Sequence, residues 1–179
     1  MESARGRLLI AGPTLLDPNF WRTVVLVVEH TEEGALGLVL NRPSETVVGD
    51  AVPELGELVD GDQLVFIGGP VQPAAVIVLA RFEDPRDSPL IAFDDVGVLG
   101  TTEAPERGEL LEARAFVGHA GWGAGQLDAE LERGDWILEP ARRDDAFSAS
   151  PPDLWASVLT RKGGSYALVA RMPPDPSWN

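Results

Sequence analysis

Residues 23–31, TVVLVVEHT, constrain the fold more than any other stretch of the chain. Successive side chains of a strand point to opposite faces of its sheet. An almost purely apolar run is therefore satisfied only where both faces are covered, or nearly so. After the turn EEGA, residues 36–43 (LGLVLNRP) return as a second strand. The two pair most simply as an antiparallel hairpin.

Similar reasoning gives strands over 7–13, 63–70, 74–80, 113–122, 135–141 and 165–173, with a Gly-Gly-Pro turn between 63–70 and 74–80. Residues 90–101 read as a strand plus turn, 14–22 as a short helix or turn broken at Asp17-Pro18, and 174–179 as a tail. In 48–59, Val48, Val52, Leu55 and Val59 have helical spacing, but Gly49, Pro53 and Gly56 limit any helix to about two turns. Leu127 and Leu131 are spaced to share a helix face, with Gly134 at its C-terminal stop. The best-marked helix is 150–164: Ser150 caps it, Pro151 opens it, Asp153 closes a capping box, Arg161 and Lys162 suit its negative end, and Gly163 stops it. Strands dominate and hairpins outnumber crossovers. The expected class is α+β: one domain over 1–179, with a mixed, mostly antiparallel curled sheet and a few short helices packed outside.

Charge narrows the function classes. The 14 basic residues include a single lysine, Lys162, and face 29 acids, for a net charge of −15. Proteins that hold polyanions do so with Lys and Arg that displace counterions, so direct nucleic-acid binding is not expected. There is no cysteine, which removes thiolate catalysis and Cys-based metal sites. The longest aliphatic runs are strand-length, far below the roughly 18 residues of a membrane span. No signal peptide is apparent, and a cytoplasmic protein is expected.

The stretch GHAGWGAGQLDAEL, 118–131, looks most like a site. As a nucleotide loop it fails: the glycines at 121, 123 and 125 do not follow G-x-G-x-x-G, and no Gly-Lys-Ser/Thr occurs. Asp128 and Glu130 would already occupy the positive helix end that a phosphate needs. The expectation is a tight strand-to-helix turn made by Gly121, Gly123 and Gly125, with Trp122 buried. Any pocket there is lined by His119, Trp122 and Gln126, which combine polar groups with an aromatic face. Arg22, His30, Asn41 and Arg42 complete the candidate ligand set. Asn41 suits a backbone bond and Arg42 an acid or ligand carboxylate, while Pro43 ends the strand ladder. The two histidines, His30 and His119, are too few for a zinc site, so no metal or cofactor is expected. The pairs Asp94-Asp95 and Asp144-Asp145 read as loop charge.

These residues resemble one family, YqgE/AlgH. The resemblance rests on GRLLIAGPTLLDPNFWRTVVLVVEH, GALGLVLNRP, FIGGPV, GHAGWGAGQLDAEL and DLWASVL followed by Gly-Gly, in family order along almost the whole chain. It implies a compact α+β domain in the bacterial cytoplasm, and for some members a label of transcriptional regulator. It carries no established catalytic residues, so none is transferred. The function expected is a non-enzymatic regulatory protein that binds a small molecule or a protein partner. The alternatives are a metal-independent enzyme with a pocket at 118–126, and a transcriptional regulator without direct DNA contact.

Overall fold

The structure, a computed structural model, describes residues 2–100 and 102–174. Ten strands form one sheet in the order β10-β1-β2-β3-β9-β6-β8-β7, with β5 joined to β9 and β4 to β5. They are β1 (Arg7–Ala11), β2 (Val24–Thr31), β3 (Gly34–Val39), β4 (Pro43–Val47), β5 (Leu64–Ile67), β6 (Val71–Phe82), β7 (Leu90–Phe93), β8 (Val96–Leu99), β9 (Leu110–Gly123) and β10 (Trp136–Pro140). Among the described residues every pairing is antiparallel except β5 with β9. The short helices are α1 (Val48–Ala51), α2 (Gln126–Arg133), α3 (Arg143–Ala146), α4 (Leu154–Lys162) and α5 (Ser165–Val169). The architecture is α+β. No helix among the described residues is long and apolar enough to cross a membrane.

The run in β2 is covered on both sides, as its composition requires. Val24–Val28 are fully buried. Val24, Leu26 and Val28 face one core with Leu8, Ile10, Leu38, Phe66 and Phe116, and α4 adds Trp155, Val158 and Leu159 to it. Val25 and Val27 face a second core with Leu9, Val39, Trp122, Leu127 and Trp136. A third lies on the outer face of β5, β6 and β9, where Val48, Val52, Leu55 and Val59 pack on Val65, Val78 and Ala115. The spacing of those four residues is used as read, by one turn of α1 and a 3-10 turn over Pro53–Leu55.

Several expectations are corrected. Residues 90–101 hold two strands, β7 and β8, joined at Asp94, whose φ of 46° makes the turn. The Gly-Gly-Pro segment does not fold β5 back on β6: β9 runs between them, pairing Phe66 with Phe116 on one side and Ile77 with Phe116 on the other. Pro43 opens β4 rather than only ending a ladder. Residues 165–173 are not a strand. Gly163 and Gly164 take φ of 83° and 58°, and α5 follows, turning Val169 and Ala170 toward the first core. Ser150 makes no side-chain cap, so the expected capping box is absent, although Gly163 does end α4. Asp145 is not loop charge. It is buried and takes a two-pronged pair from Arg161, Nη1 to Oδ1 at 2.7 Å and Nη2 to Oδ2 at 2.9 Å, which ties α4 to α3. Of the segment read as a tail, all but Pro174 lies outside the described residues.

Candidate functional site

The glycine-rich stretch is mostly strand. β9 continues to Gly123, so Gly121 and Gly123 are strand residues rather than turn residues. The turn is confined to Ala124 and Gly125, and Gly125 has φ 74°. α2 then starts at Gln126, whose Oε1 accepts the Gly123 N–H at 3.0 Å. A Cβ on Gly123 would meet nothing nearer than that Oε1, at 4.0 Å. Gly123→Val is therefore expected to melt within a few degrees of wild type, since exposed changes free of strain cost about 0.5 kcal/mol or less. A fall beyond about 5 °C in thermal denaturation contradicts this placement.

Trp122 is buried against Phe20 and Trp136, with ring centroids 6.4 and 6.2 Å away. Phe20 and Trp136 meet edge to face at 5.6 Å, closing an aromatic trio. One carboxylate oxygen serves both indoles: Glu130 Oε1 accepts from Trp122 Nε1 at 3.2 Å and from Trp136 Nε1 at 3.0 Å. Sequence reasoning gave Glu130 no such role. Its partners lie on two different strands, and no spacing signals that.

The seven candidate side chains do not converge. The register pairs His30 with Ala35 and Val25 with Val39, which puts His30 and Asn41 at opposite ends of the β2–β3 hairpin. At about 3.3 Å of rise per residue the two ends are roughly 17–20 Å apart. At the hairpin turn lie His30, Trp122 and Gln126, because β9 pairs Gly123 with Gly34 there. At the other end lie Arg22, Asn41 and Arg42. Asn41 Oδ1 accepts the Val24 N–H at 3.0 Å and its Nδ2 donates to Arg22 O at 2.9 Å. Arg42 donates to the carbonyls of Asn19 at 2.7 Å, Pro18 at 2.9 Å and Trp21 at 3.1 Å, clamping the 17–22 loop. Burial pushes the Arg42 pKa down, and the charge of Asp17 works against that shift.

His30 is buried, and both ring nitrogens have partners. Nδ1 accepts the Ala4 N–H at 2.9 Å, so the ring proton sits on Nε2, which faces Asp128 Oδ1 at 3.4 Å. An open cleft of about 590 Å3 lies beside this pair, lined by Glu2, Ser3, Arg7, Asp128 and Glu132 among others. Ser3, His30 and Asp128 together suggest a nucleophile, base and orienting acid. The geometry does not make one. Ser3 Oγ donates to the His30 carbonyl at 3.2 Å, and the nitrogen that would take its proton is held by Ala4.

His119 differs. It sits opposite Val71, and its Nδ1 is shielded with no hydrogen-bond partner among the described residues. Burial pushes its pKa below the ordinary 6.5. A histidine whose folded pKa is depressed leaves stability intact above the unfolded value, and that stability is lost as pH falls through the folded pKa. Between pH 7.5 and 5.5 the melting temperature of wild type should fall further than that of His119→Gln. Equal falls would remove His119 as the source. Among the described residues no group of three His, Asp or Glu side chains is placed to hold a metal.

The fold and these contacts define a class: an α+β protein with a mostly antiparallel sheet whose long central strand β9 threads a glycine-lined path, and whose signature polar residues mainly hold its loops. The chain belongs to the AlgH-like family (DUF179), whose model matches residues 8–167. A UPF0301 protein of Thermobifida fusca is 44% identical over 190 residues, covering 99% of this chain and 96% of that one. A UPF0301 protein of Streptomyces coelicolor is 41% identical over 187 residues, covering 100% and 97%. A crystal structure of a Corynebacterium diphtheriae protein matches with a TM-score of 0.85 at 29% identity, over 96% of this chain and 94% of that one. The solution structure of AlgH from Pseudomonas aeruginosa matches with a TM-score of 0.69 at 29% identity, over 97% and 98%.

Proposed function

We propose that the chain is a non-enzymatic regulatory protein of the bacterial cytoplasm, acting by binding a small molecule or a protein partner rather than by turnover. One observation carries this reading: apart from His119, the polar groups of the candidate residues are engaged in holding the protein's own loops. Arg42 and Asn41 secure backbone, both His30 nitrogens have partners, and Gln126 and the Trp122 N–H are bonded across the start of α2. A catalytic set needs groups free to meet a substrate. With a net charge of −15, a regulatory role of this chain would run without direct DNA contact.

The enzyme reading keeps one specific support, the unpartnered Nδ1 of His119. A thermal-shift screen over nucleotides, sugars and acyl compounds separates the two. A ligand of the folded state raises the melting point as its concentration passes Kd. The expected result is a hit recovered unchanged by mass spectrometry after long incubation. A hit converted to product overturns the proposal and puts His119 first among residues to substitute.

A further inference from the structure

We propose that Arg22 anchors a binding site for a small carboxylate carried on an apolar chain, and that residues 171–174 occupy this site as a displaceable strap. The proposal rests on the reading that this protein acts by binding. Arg22 has φ 53°, one of three described non-glycine residues in the left-handed region. Such backbone persists only where its surroundings enforce it, and it clusters at ligand clamps. Here the enforcement is visible. Asn41 holds the Arg22 carbonyl, and the guanidinium lies 4.4 Å from the centroid of Trp155 and 5.1 Å from that of Trp21. Two aromatic faces hold a planar cation in a fixed orientation.

What the guanidinium holds is informative. Its Nη2 donates to Met172 O at 2.7 Å and to Pro173 O at 3.0 Å. Two neutral carbonyl oxygens sit where a carboxylate would present two charged ones. In a chain with 29 acids and 14 bases, burial lowers the Arg22 pKa and no acid among the described residues acts on it in compensation. A ligand carboxylate would supply the missing charge. The rim is apolar and open: Leu16 is 63% exposed, and Trp21 and Met172 are each 38% exposed. The space left under the strap is about 30 Å3, bordered by Leu16, Trp21, Trp155 and Met172. That is room for about one water, so a ligand enters by lifting the strap.

Met1 and Met172 are the only methionines of the chain, so a 13C-methyl methionine label gives a direct reporter on the strap. The probe is sodium octanoate, with acetate and 1-octanol as controls. Octanoate should shift the Met172 methyl signal saturably, and neither acetate nor octanol should reproduce the shift. Arg22→Asn, a residue that tolerates positive φ, should abolish the response. Arg22→Gly, free of backbone strain at this position, does the same if the Asn variant folds poorly. A Met172 signal unmoved by millimolar octanoate overturns the proposal, as does an equal shift with octanol or in a folded Arg22 variant. If octanoate lifts the strap but is chemically converted, the site stands and the non-enzymatic reading falls. If octanoate does nothing while a nucleotide or sugar binds unchanged, that reading stands and this site falls.

Discussion

Gly69→Ala should cost about 4 kcal/mol, at the exceptional end for a single methyl group, and lower the melting temperature by about 8–16 °C. The cause is backbone against backbone. A Cβ on Gly69 would overlap the carbonyl carbon and oxygen of His119 and the nitrogen of Ala120. None of these atoms can swing away as a side-chain tip can. The crowding is mutual: Gly118, at φ 71°, has no space for a Cβ because it would overlap Gly69 O. These two glycines mark the place where the link from β5 to β6 crosses β9, and the Gly68 N–H of that link donates to Val117 O of β9 at 2.8 Å. Separating the strands to admit a methyl would break β9 where it passes from its β5 and β6 pairings to its β3 pairing. The contrast is Gly123→Val, a larger change at an open position. If Gly69→Ala melts within about 3 °C of wild type, less than 2 kcal/mol has been lost and the close approach is not what holds the crossing.

That crossing shows where sequence reasoning stops. The β2–β3 hairpin was legible because local pattern determined it: two apolar runs joined by a short turn. The two-sided burial of Val24–Val28 was legible because a strand with no polar face has no other solution. The insertion of β9 between β5 and β6 depends on a partner more than 40 residues away in sequence, and Gly-Gly-Pro reads equally well as a hairpin turn. The error at 165–173 has a similar origin. Alternating Tyr166, Leu168 and Ala170 mimic a strand, but Leu168 is 67% exposed and the segment forms α5, paired with none of the strands of the sheet.

The candidate residues divide in the same way. His30, Asn41, Arg42 and Trp122 were singled out as residue types unusual in their positions, and each makes a specific contact. Their partners were not legible. Arg42 looks like a residue for a ligand carboxylate and holds three backbone carbonyls instead. Arg22 belongs to the same candidate set, and it combines strained backbone, two indole faces and a pair of carbonyls from a segment 150 residues away. A signature residue reports that its position is demanding. Whether the demand comes from the fold or from a ligand is settled by where its polar atoms end.

Glu130→Ala should destabilise the protein by about 2–4 kcal/mol, since each buried donor left without a partner costs about 1–3 kcal/mol. The two donors are the indole N–H groups of Trp122 and Trp136, 7% and 4% exposed, which share one Glu130 oxygen. Leu127 and Leu131 face the sheet from α2, and Asp128 and Glu130 flank that face on its two sides. Asp128 meets His30 on one flank and Glu130 meets the indoles on the other. Removing the Glu130 carboxylate leaves α2 held on one side over an aromatic trio with two polar atoms exposed to nothing. Glu130→Gln separates hydrogen bonding from charge. Its amide oxygen can accept both N–H groups, so this variant should stay within about 1 kcal/mol of wild type. Chemical denaturation of the three proteins gives the comparison. If Ala and Gln cost the same, charge matters and the shared acceptor does not. If Ala costs less than about 1 kcal/mol, water reaches the indoles and the trio is not sealed by α2. The expected order, wild type close to Gln and well above Ala, would make Glu130 the residue that converts the glycine-rich end of β9 from a loop into a packed corner.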